Sequence, residues 1–247
     1  MSSERHYTLV TGASSGIGRG ICETLSVDRP LILGGRDLSR LRETLGTCHG
    51  EGHILWSMDL SKAMSVGDSL GAFLKENGLF VDSFVHSAGM VDVRPARMAE
   101  YEKTLEVMNV NFFSAAEIIR VLLGNAYNKK SLRNVLLISS IFSKLGAKGQ
   151  GAYCASKGAI DSYVRSLAVE LAPTVRVNSL LPGAVKTPMA EKSSPEYLER
   201  CDAAHPLGMG EIVDVALYAR FILSNDARWV TGQNIVLDGG FSSTKDN

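Results

Sequence analysis

An excess of charge of either sign is missing from this chain. Its 26 lysines and arginines are balanced by 26 aspartates and glutamates, for a formal net charge of +0. That balance leaves no electrostatic footprint for nucleic acid or another polyanion, so neither is expected as a partner. Cysteine is scarce too. The four thiols, Cys22, Cys48, Cys154 and Cys201, are scattered, with no CxxC pair and no histidine at metal-ligand spacing. This excludes a disulfide framework and a metal site and points to reduced thiols in a cytosolic protein. No apolar run reaches the roughly 18 residues needed to cross a bilayer. Residues 1–5 are polar and lead straight into Tyr7-Thr8-Leu9-Val10 rather than into a signal peptide. A cytoplasmic protein with no membrane attachment is therefore expected. Repeats, low-complexity tracts and linkers are absent as well. What remains is ordinary globular composition, 247 residues of which 45% are hydrophobic and 21% charged. A chain of that size can build a core without disulfide or metal.

Short apolar runs alternate with longer helical patterns. Strands are predicted at 6–11, 30–35, 53–58, 81–86, 133–140, 174–181 and 233–238, and helices at 17–27, 38–46, 62–77, 99–124, 152–172 and 211–224. Strands without internal polar alternation, separated by helices, imply a parallel sheet covered on both faces. The expectation is one α/β domain over 1–247, a doubly wound Rossmann domain with a seven-stranded parallel sheet, its ligand at the carboxyl ends of the strands. The stretch 182–210 breaks the alternation. Ordered loops that long tend to be functional lids, so 183–210 is read as a substrate lid with a short helix near 195–201. In the 99–124 helix, Phe112, Phe113, Ile118, Ile119 and Val121 spread over more than one face, which calls for a second partner; a wide core stripe is the alternative.

Candidate chemistry gathers at the strand ends. After strand one come Gly12, Ser14, Ser15, Gly16, Ile17 and Gly18 in a TGxxxGxG spacing. Such a turn lets backbone amides and a helix N-terminus approach a pyrophosphate; a purely structural turn is the alternative. Strand two ends Gly35-Arg36-Asp37. No carboxylate stands at its tip to bind a ribose 2′-hydroxyl, and Arg36 can take a 2′-phosphate, with a solvated loop arginine as the alternative, while Asp37 is placed to cap the next helix. Asp59-Leu60 either touches an adenine or caps a helix. Ser87-Ala88-Gly89 lets the backbone pass close to a cofactor, and Asn111 puts an amide inside a helix, facing solvent or a bound water. Tyr153 and Lys157 lie four apart, on one helical face, with Ser140 across a glycine-rich loop. A positive charge beside a phenol favours its ionised form, so the pair suits proton exchange with an alcohol or carbonyl; taken alone, the spacing also fits two surface residues.

These motifs, with Pro182-Gly183, Val185, Thr187 and the closing Asp238-Gly239-Gly240, resemble the short-chain dehydrogenase/reductase family from end to end. The likeness is to its short single-domain branch, and most of all to 3-oxoacyl-(acyl carrier protein) reductases. The resemblance implies a general acid/base at Tyr153, with Lys157 lowering its pKa and binding the nicotinamide ribose. It further implies that Ser140 orients the carbonyl, that Asn111 anchors a relay water, and that Pro182, Gly183, Val185 and Thr187 hold the nicotinamide. NADP is the implied cofactor, with NAD as the alternative, and the implied assembly is a homotetramer. The substrate is a carbonyl or secondary alcohol, either a small molecule or carrier-bound, with Lys129, Lys130 and Arg133 as carrier contacts. The apolar Met90, Ile141, Phe142, Leu145 and Met189 face the pocket in this reading. A stand-alone carbonyl or sugar-ketone reductase is the runner-up, and a catalytically silent nucleotide sensor the remote alternative. Three departures from the family stand out: His86 for the first asparagine, at a position read as structural, Ser15 for a basic residue, and Met209 where an arginine is usual.

Overall fold

A computed structural model describes residues 5–244. Seven strands form one parallel sheet in the order β3-β2-β1-β4-β5-β6-β7. They are β1 (His6–Thr11), β2 (Leu31–Gly35), β3 (Ile54–Ser57), β4 (Phe80–His86), β5 (Asn134–Ile138), β6 (Arg176–Pro182) and β7 (Asn234–Leu237). Every predicted strand is present, with ends shifted by two residues or fewer. The helices are α1 (Gly16–Leu25), α2 (Leu38–Thr47), α3 (Ala63–Asn77), α4 (Tyr101–Met108), α5 (Ser114–Leu123), α6 (Asn125–Asn128), α7 (Gly151–Leu171), α8 (Pro195–Ala204) and α9 (Ile212–Leu223). None of the described helices is long and apolar enough to cross a membrane.

Neighbouring residues of a strand point to opposite faces, and the core divides accordingly. Leu9, Ile32, Phe84 and Val135 pack against Leu70 of α3, Ile118 of α5 and Val164 of α7. Val10, Leu33, Val85 and Leu136 face the other way, against Ile21 of α1, Leu41 of α2 and Ile222 of α9. Burying each such side chain is worth about 1.5–3 kcal/mol. Both faces are apolar and both are covered, which is why the strands read as continuous apolar runs.

β1 lies between β2 and β4. The chain leaves β1 toward one edge and returns after β3 on its other side, so the connections diverge above the carboxyl ends of β1 and β4 and leave a crevice there. The lid follows β6. It is tied at its base by a bridge between Val185 and Gly210 and carries α8, which starts at Pro195 and is capped by the Ser194 hydroxyl accepting from the Tyr197 amide at 3.3 Å.

Two features depart from expectation. The long helix predicted over 99–124 contains a π-helical turn, Asn109–Phe113, between α4 and α5. The breadth of its apolar surface also has a simpler cause. Ile118, Ile119 and Val121 are all no more than 2% exposed within the single chain; α5, wedged between the sheet and α3, buries two faces without a partner.

Candidate active site

The turn after β1 is shaped by contacts that leave no room for a side chain. Gly12 has φ +71°, and a Cβ on it would stand 2.6 Å from the Ala88 amide nitrogen; one on Gly18 would stand 2.1 Å from the Gly12 carbonyl oxygen. These two glycines let β4 and α1 close on the turn. Gly16 is different, because a methyl there would meet nothing nearer than Thr187, at 3.6 Å. The space above it opens toward the lid. No side chain caps α1 at Ser15, so its first-turn amides offer unused donors to the crevice, an arrangement suited to a pyrophosphate. Arg19 braces the turn from behind by donating to the Ser14 carbonyl at 3.1 Å and to Thr44 Oγ1 at 3.0 Å.

Arg36 follows the β2 tip. Asp37 accepts from the Arg40 amide at 3.1 Å and caps α2, leaving no acid at the tip itself. Asp59 accepts from both the amide and the hydroxyl of Ser61, at 3.1 and 2.9 Å. Burial pushes its carboxyl up, but those bonds and the charges of Arg36 and Lys62 outweigh burial and hold it below its ordinary range. Asp59 is thus a turn-forming residue close to Arg36, and the Leu60 side chain is 7% exposed in the core, leaving only its backbone to the crevice.

Ser87, Ala88 and Gly89 continue β4, the Ser87 amide donating to Thr11 at 3.2 Å. On the far side of the crevice stand Pro182, Gly183, Val185 and Thr187. His205 supports them. Its Nδ1 donates to the Cys201 carbonyl at 2.6 Å and its Nε2 accepts from the Ala184 amide at 3.1 Å, while the ring stacks on Phe241 with centroids 4.7 Å apart.

Ser140, at the end of β5, accepts from the Phe142 amide at 3.2 Å and is hydrogen-bonded to Tyr153. Lys157, 3% exposed, donates to the Ile138 carbonyl at 2.8 Å, its Nζ 5.6 Å from the centre of the Tyr153 ring. Burial pulls Lys157 down to about 8, with Asp161 opposing. The lowered phenol pKa expected at Tyr153 is not found. Burial dominates and pushes it up, and the Ser140 bond only partly offsets this. Tyr153 is therefore held as a neutral acid.

Asn111 is fully buried and its donors are spent within the fold. Its Nδ2 donates to the Met90 carbonyl at 3.0 Å and to Ser156 Oγ at 2.9 Å, and its Oδ1 accepts from the Met90 amide at 2.8 Å. Oδ1 and Lys157 Nζ both lie near Gly89, where a Cβ would stand 3.8 and 3.6 Å from them. Of the five apolar residues expected in the pocket, Met90, Phe142 and Leu145 are half-buried. Ile141 is 3% exposed and Met189, on the lid, 52%.

The fold thus gathers Ser140, Tyr153, Lys157 and Asn111 at one mouth of the crevice and Gly12–Gly18 and Arg36 along it. Sequence reasoning overlooked Ser156, which links Asn111 to the Tyr153 carbonyl at 2.7 Å. It read the position of His86 as structural but did not supply its partners. The Val110 carbonyl can only accept, so His86 Nε2 donates to it at 3.2 Å and Nδ1 accepts from Thr11 Oγ1 at 2.8 Å. A neutral histidine thereby ties β1 to the π-helical turn that bears Asn111.

Comparison with known proteins agrees with this geometry. Residues 12–242 match the family model described as enoyl-(acyl carrier protein) reductase. The chain is 33% identical over 238 residues to nodulation protein G of a Rhizobium species, covering 95% of this chain and 96% of that one. It is 28% identical over 247 residues to a 3-oxoacyl-(acyl carrier protein) reductase of Buchnera aphidicola, covering 97% and 98%. Among solved structures, a variant of actinorhodin polyketide ketoreductase with NADPH superposes with a TM-score of 0.88 at 26% identity, covering 97% and 98%. A match that spans nearly the whole chain removes the reading as a silent sensor: the chain belongs to the short-chain dehydrogenase/reductase family and is an NAD(P)-dependent oxidoreductase.

Proposed function

We propose that this protein reduces a ketone to a secondary alcohol, or runs the reverse reaction, with NADPH as its preferred cofactor. The observation that carries the reading is the convergence of Ser140, Tyr153 and Lys157. The crevice fits a dinucleotide, with its uncapped α1 and open Gly16 toward the pyrophosphate and Arg36 toward the adenosine end. When bound, the nicotinamide supplies or accepts the hydride. The protein's own residues handle the proton. Tyr153 Oη, kept protonated by burial, donates to the carbonyl oxygen as negative charge develops there. Ser140 Oγ, which accepts from the Phe142 amide, turns its own proton from the Tyr153 oxygen to the same carbonyl oxygen. Lys157, one helical turn from Tyr153, stabilises the phenolate left behind. Asn111 holds Met90 and the wall beside Lys157, with one lone pair of Oδ1 left for a relay water.

The substrate we favour is a 3-oxoacyl thioester, carrier-bound or free, because relatives along the full chain bear that activity in their names. A stand-alone carbonyl or sugar-ketone reductase is the alternative. Four free thiols suit a reducing, cytoplasmic setting. A panel of β-ketoacyl thioesters, diketones and keto sugars, followed by NADPH absorbance, tests the substrate class. In the same assay Tyr153→Phe is expected to lower kcat at least about a thousandfold while cofactor binding, followed by NADPH fluorescence, stays within about threefold. An unchanged rate would overturn the mechanism.

A further inference from the structure

Asp161 belongs to no part of the machinery described so far, yet it is 5% exposed and sits on α7 at the i+8 position from Tyr153 and i+4 from Lys157, on the same helical face. Its Oδ2 accepts from Ser143 Oγ. Ser143 closes the short turn Ile141–Ser143, and its amide donates to the Ser140 carbonyl at 2.9 Å. Oδ1 lies 3.2 Å from Ser179 Oγ on β6, but that hydroxyl also lies 2.9 Å from Asn234 Oδ1 on β7. One proton serves both acceptors. Asn234 in turn donates to the Asp161 carbonyl at 3.2 Å.

A carboxylate offers about four lone-pair sites, and this one has a single full donor and one contested donor. Left so in a low-dielectric interior it would be costly without a compensating cation. Lys157 is the complement: a buried ammonium with three donors, one of them spent on the Ile138 carbonyl. We propose that Asp161 is a positioning residue that holds the Ser140 turn and the Lys157 ammonium in register from beneath the catalytic helix. The electrostatics agree, since Asp161 opposes the effect of burial on Lys157. Around the pair, β4 contributes the neutral ring of His86, α7 itself Tyr153 and Cys154, and β5, β6 and β7 only hydroxyls and amides. Asp161 thus performs two tasks with one group, steric through Ser143 and electrostatic through Lys157.

The proposal rests on the reading of Tyr153 and Lys157 as the proton-transfer pair, and its first test needs no substrate. In protein carrying 13C-labelled lysine ε-carbons, assigned by loss of one resonance in Lys157→Met, Lys157 is expected to titrate near 8. Asp161→Asn should move that midpoint down by at least about one pH unit, and Asp161→Glu should leave it within about 0.3. A midpoint unmoved in Asp161→Asn overturns the electrostatic role; if that variant does not fold, Asp161→Ser removes the same charge and is read the same way. Ser143→Ala isolates the steric role. With any ketone the enzyme accepts, its kcat should fall at least about fivefold with KM within about threefold and the Lys157 midpoint unchanged. Wild-type kcat in Ser143→Ala overturns that half. If no ketone is turned over, the function proposed above fails while the titration still decides the role of Asp161.

Discussion

Under the NADPH preference proposed above, Arg36 is the residue that would separate two cofactors differing by one phosphate. The β2 tip is Gly35, and the nearby carboxylates are engaged, Asp37 with the Arg40 amide and Asp59 with Ser61. Nothing at the tip repels a 2′-phosphate, and the guanidinium fork suits one. One charge-assisted contact is worth about 1.5–3 kcal/mol, so kcat/KM should favour NADPH over NADH at least about tenfold. Arg36→Ala should erase most of that ratio without changing the NADH value. Equal use of both cofactors by the wild type would refute the assignment. His86 supports a different measurement. Burial, and secondarily the charge of Lys157, lower its pKa from 6.5 to about 3, so the native state requires the neutral ring. The unfolded chain binds a proton below 6.5 that the folded chain does not take up until about 3. The contribution is therefore complete above 6.5 and declines as pH falls, by roughly 1.4 kcal/mol per pH unit. His86→Asn lacks this slope. Any stability advantage of the wild type over it should shrink by about 2 kcal/mol between pH 6.5 and pH 5, read by urea unfolding. A constant difference would show that the ring is not the titrating group. Tyr153, Lys157 and Ser140 are legible in the sequence because two share a helix turn and the third ends a strand. His86 and Asp161 are not. Their meaning comes from Val110, Thr11, Ser179 and Asn234, which only the folded sheet brings to them.

At the scale of elements, periodicity is enough to place the seven strands, because burial on both sheet faces makes each an unbroken apolar run bounded by polar turns. The same logic fails inside the long helix after β4. A π-helical turn changes the register between Asn109 and Phe113, so a 3.6-residue period assigns faces wrongly beyond it; the only trace in the sequence is a pair of amides, Asn109 and Asn111, in an otherwise apolar stretch. The long segment after β6 is legible by its length, but its footing on His205 and Phe241 is not, since stacking between residues 205 and 241 has no periodic signature. Glycines show the same division between what sequence implies and what packing decides. Gly20 of α1 faces α9, and a Cβ there would stand 2.2 Å from Ile212 Cγ2, on a branched side chain with little rotamer freedom. Gly20→Ala should cost about 1–3 kcal/mol. Gly46, also helical, has open space where a Cβ would stand, with nothing within 4 Å. Gly46→Ala should stabilise by about 0.5–1 kcal/mol through its better helix propensity. Urea unfolding of both variants checks the contrast. A Gly20→Ala protein as stable as the wild type would mean that α1 and α9 are less tightly packed than described.

For the whole molecule, the open question is what covers the surfaces that the single chain leaves apolar. Ile118, Ile119 and Val121 need no partner, since all three are buried within the chain. Two other surfaces remain. On one, Phe113 is 40% exposed, Val169 of α7 83% exposed, and Phe112 packs edge-on against Tyr163. On the other, Val213, Leu217 and Phe221 recur every four residues along the outer side of α9, 52%, 54% and 42% exposed, and β7 is an edge strand of the sheet. An open strand edge and an exposed apolar helix stripe are each surfaces that association would cover. Two such surfaces on each chain, each closing by a twofold axis, generate a tetramer with dihedral symmetry. Multi-angle light scattering should therefore give four chains for the wild type at micromolar concentration. Leu217→Glu places a charge at the centre of the α9 stripe, where burial without a partner is costly, and should leave dimers joined through the α5–α7 surface with their fold intact by circular dichroism. A wild-type protein that runs as a stable monomer would refute the assembly, and tetramers that survive Leu217→Glu would move its second interface away from α9.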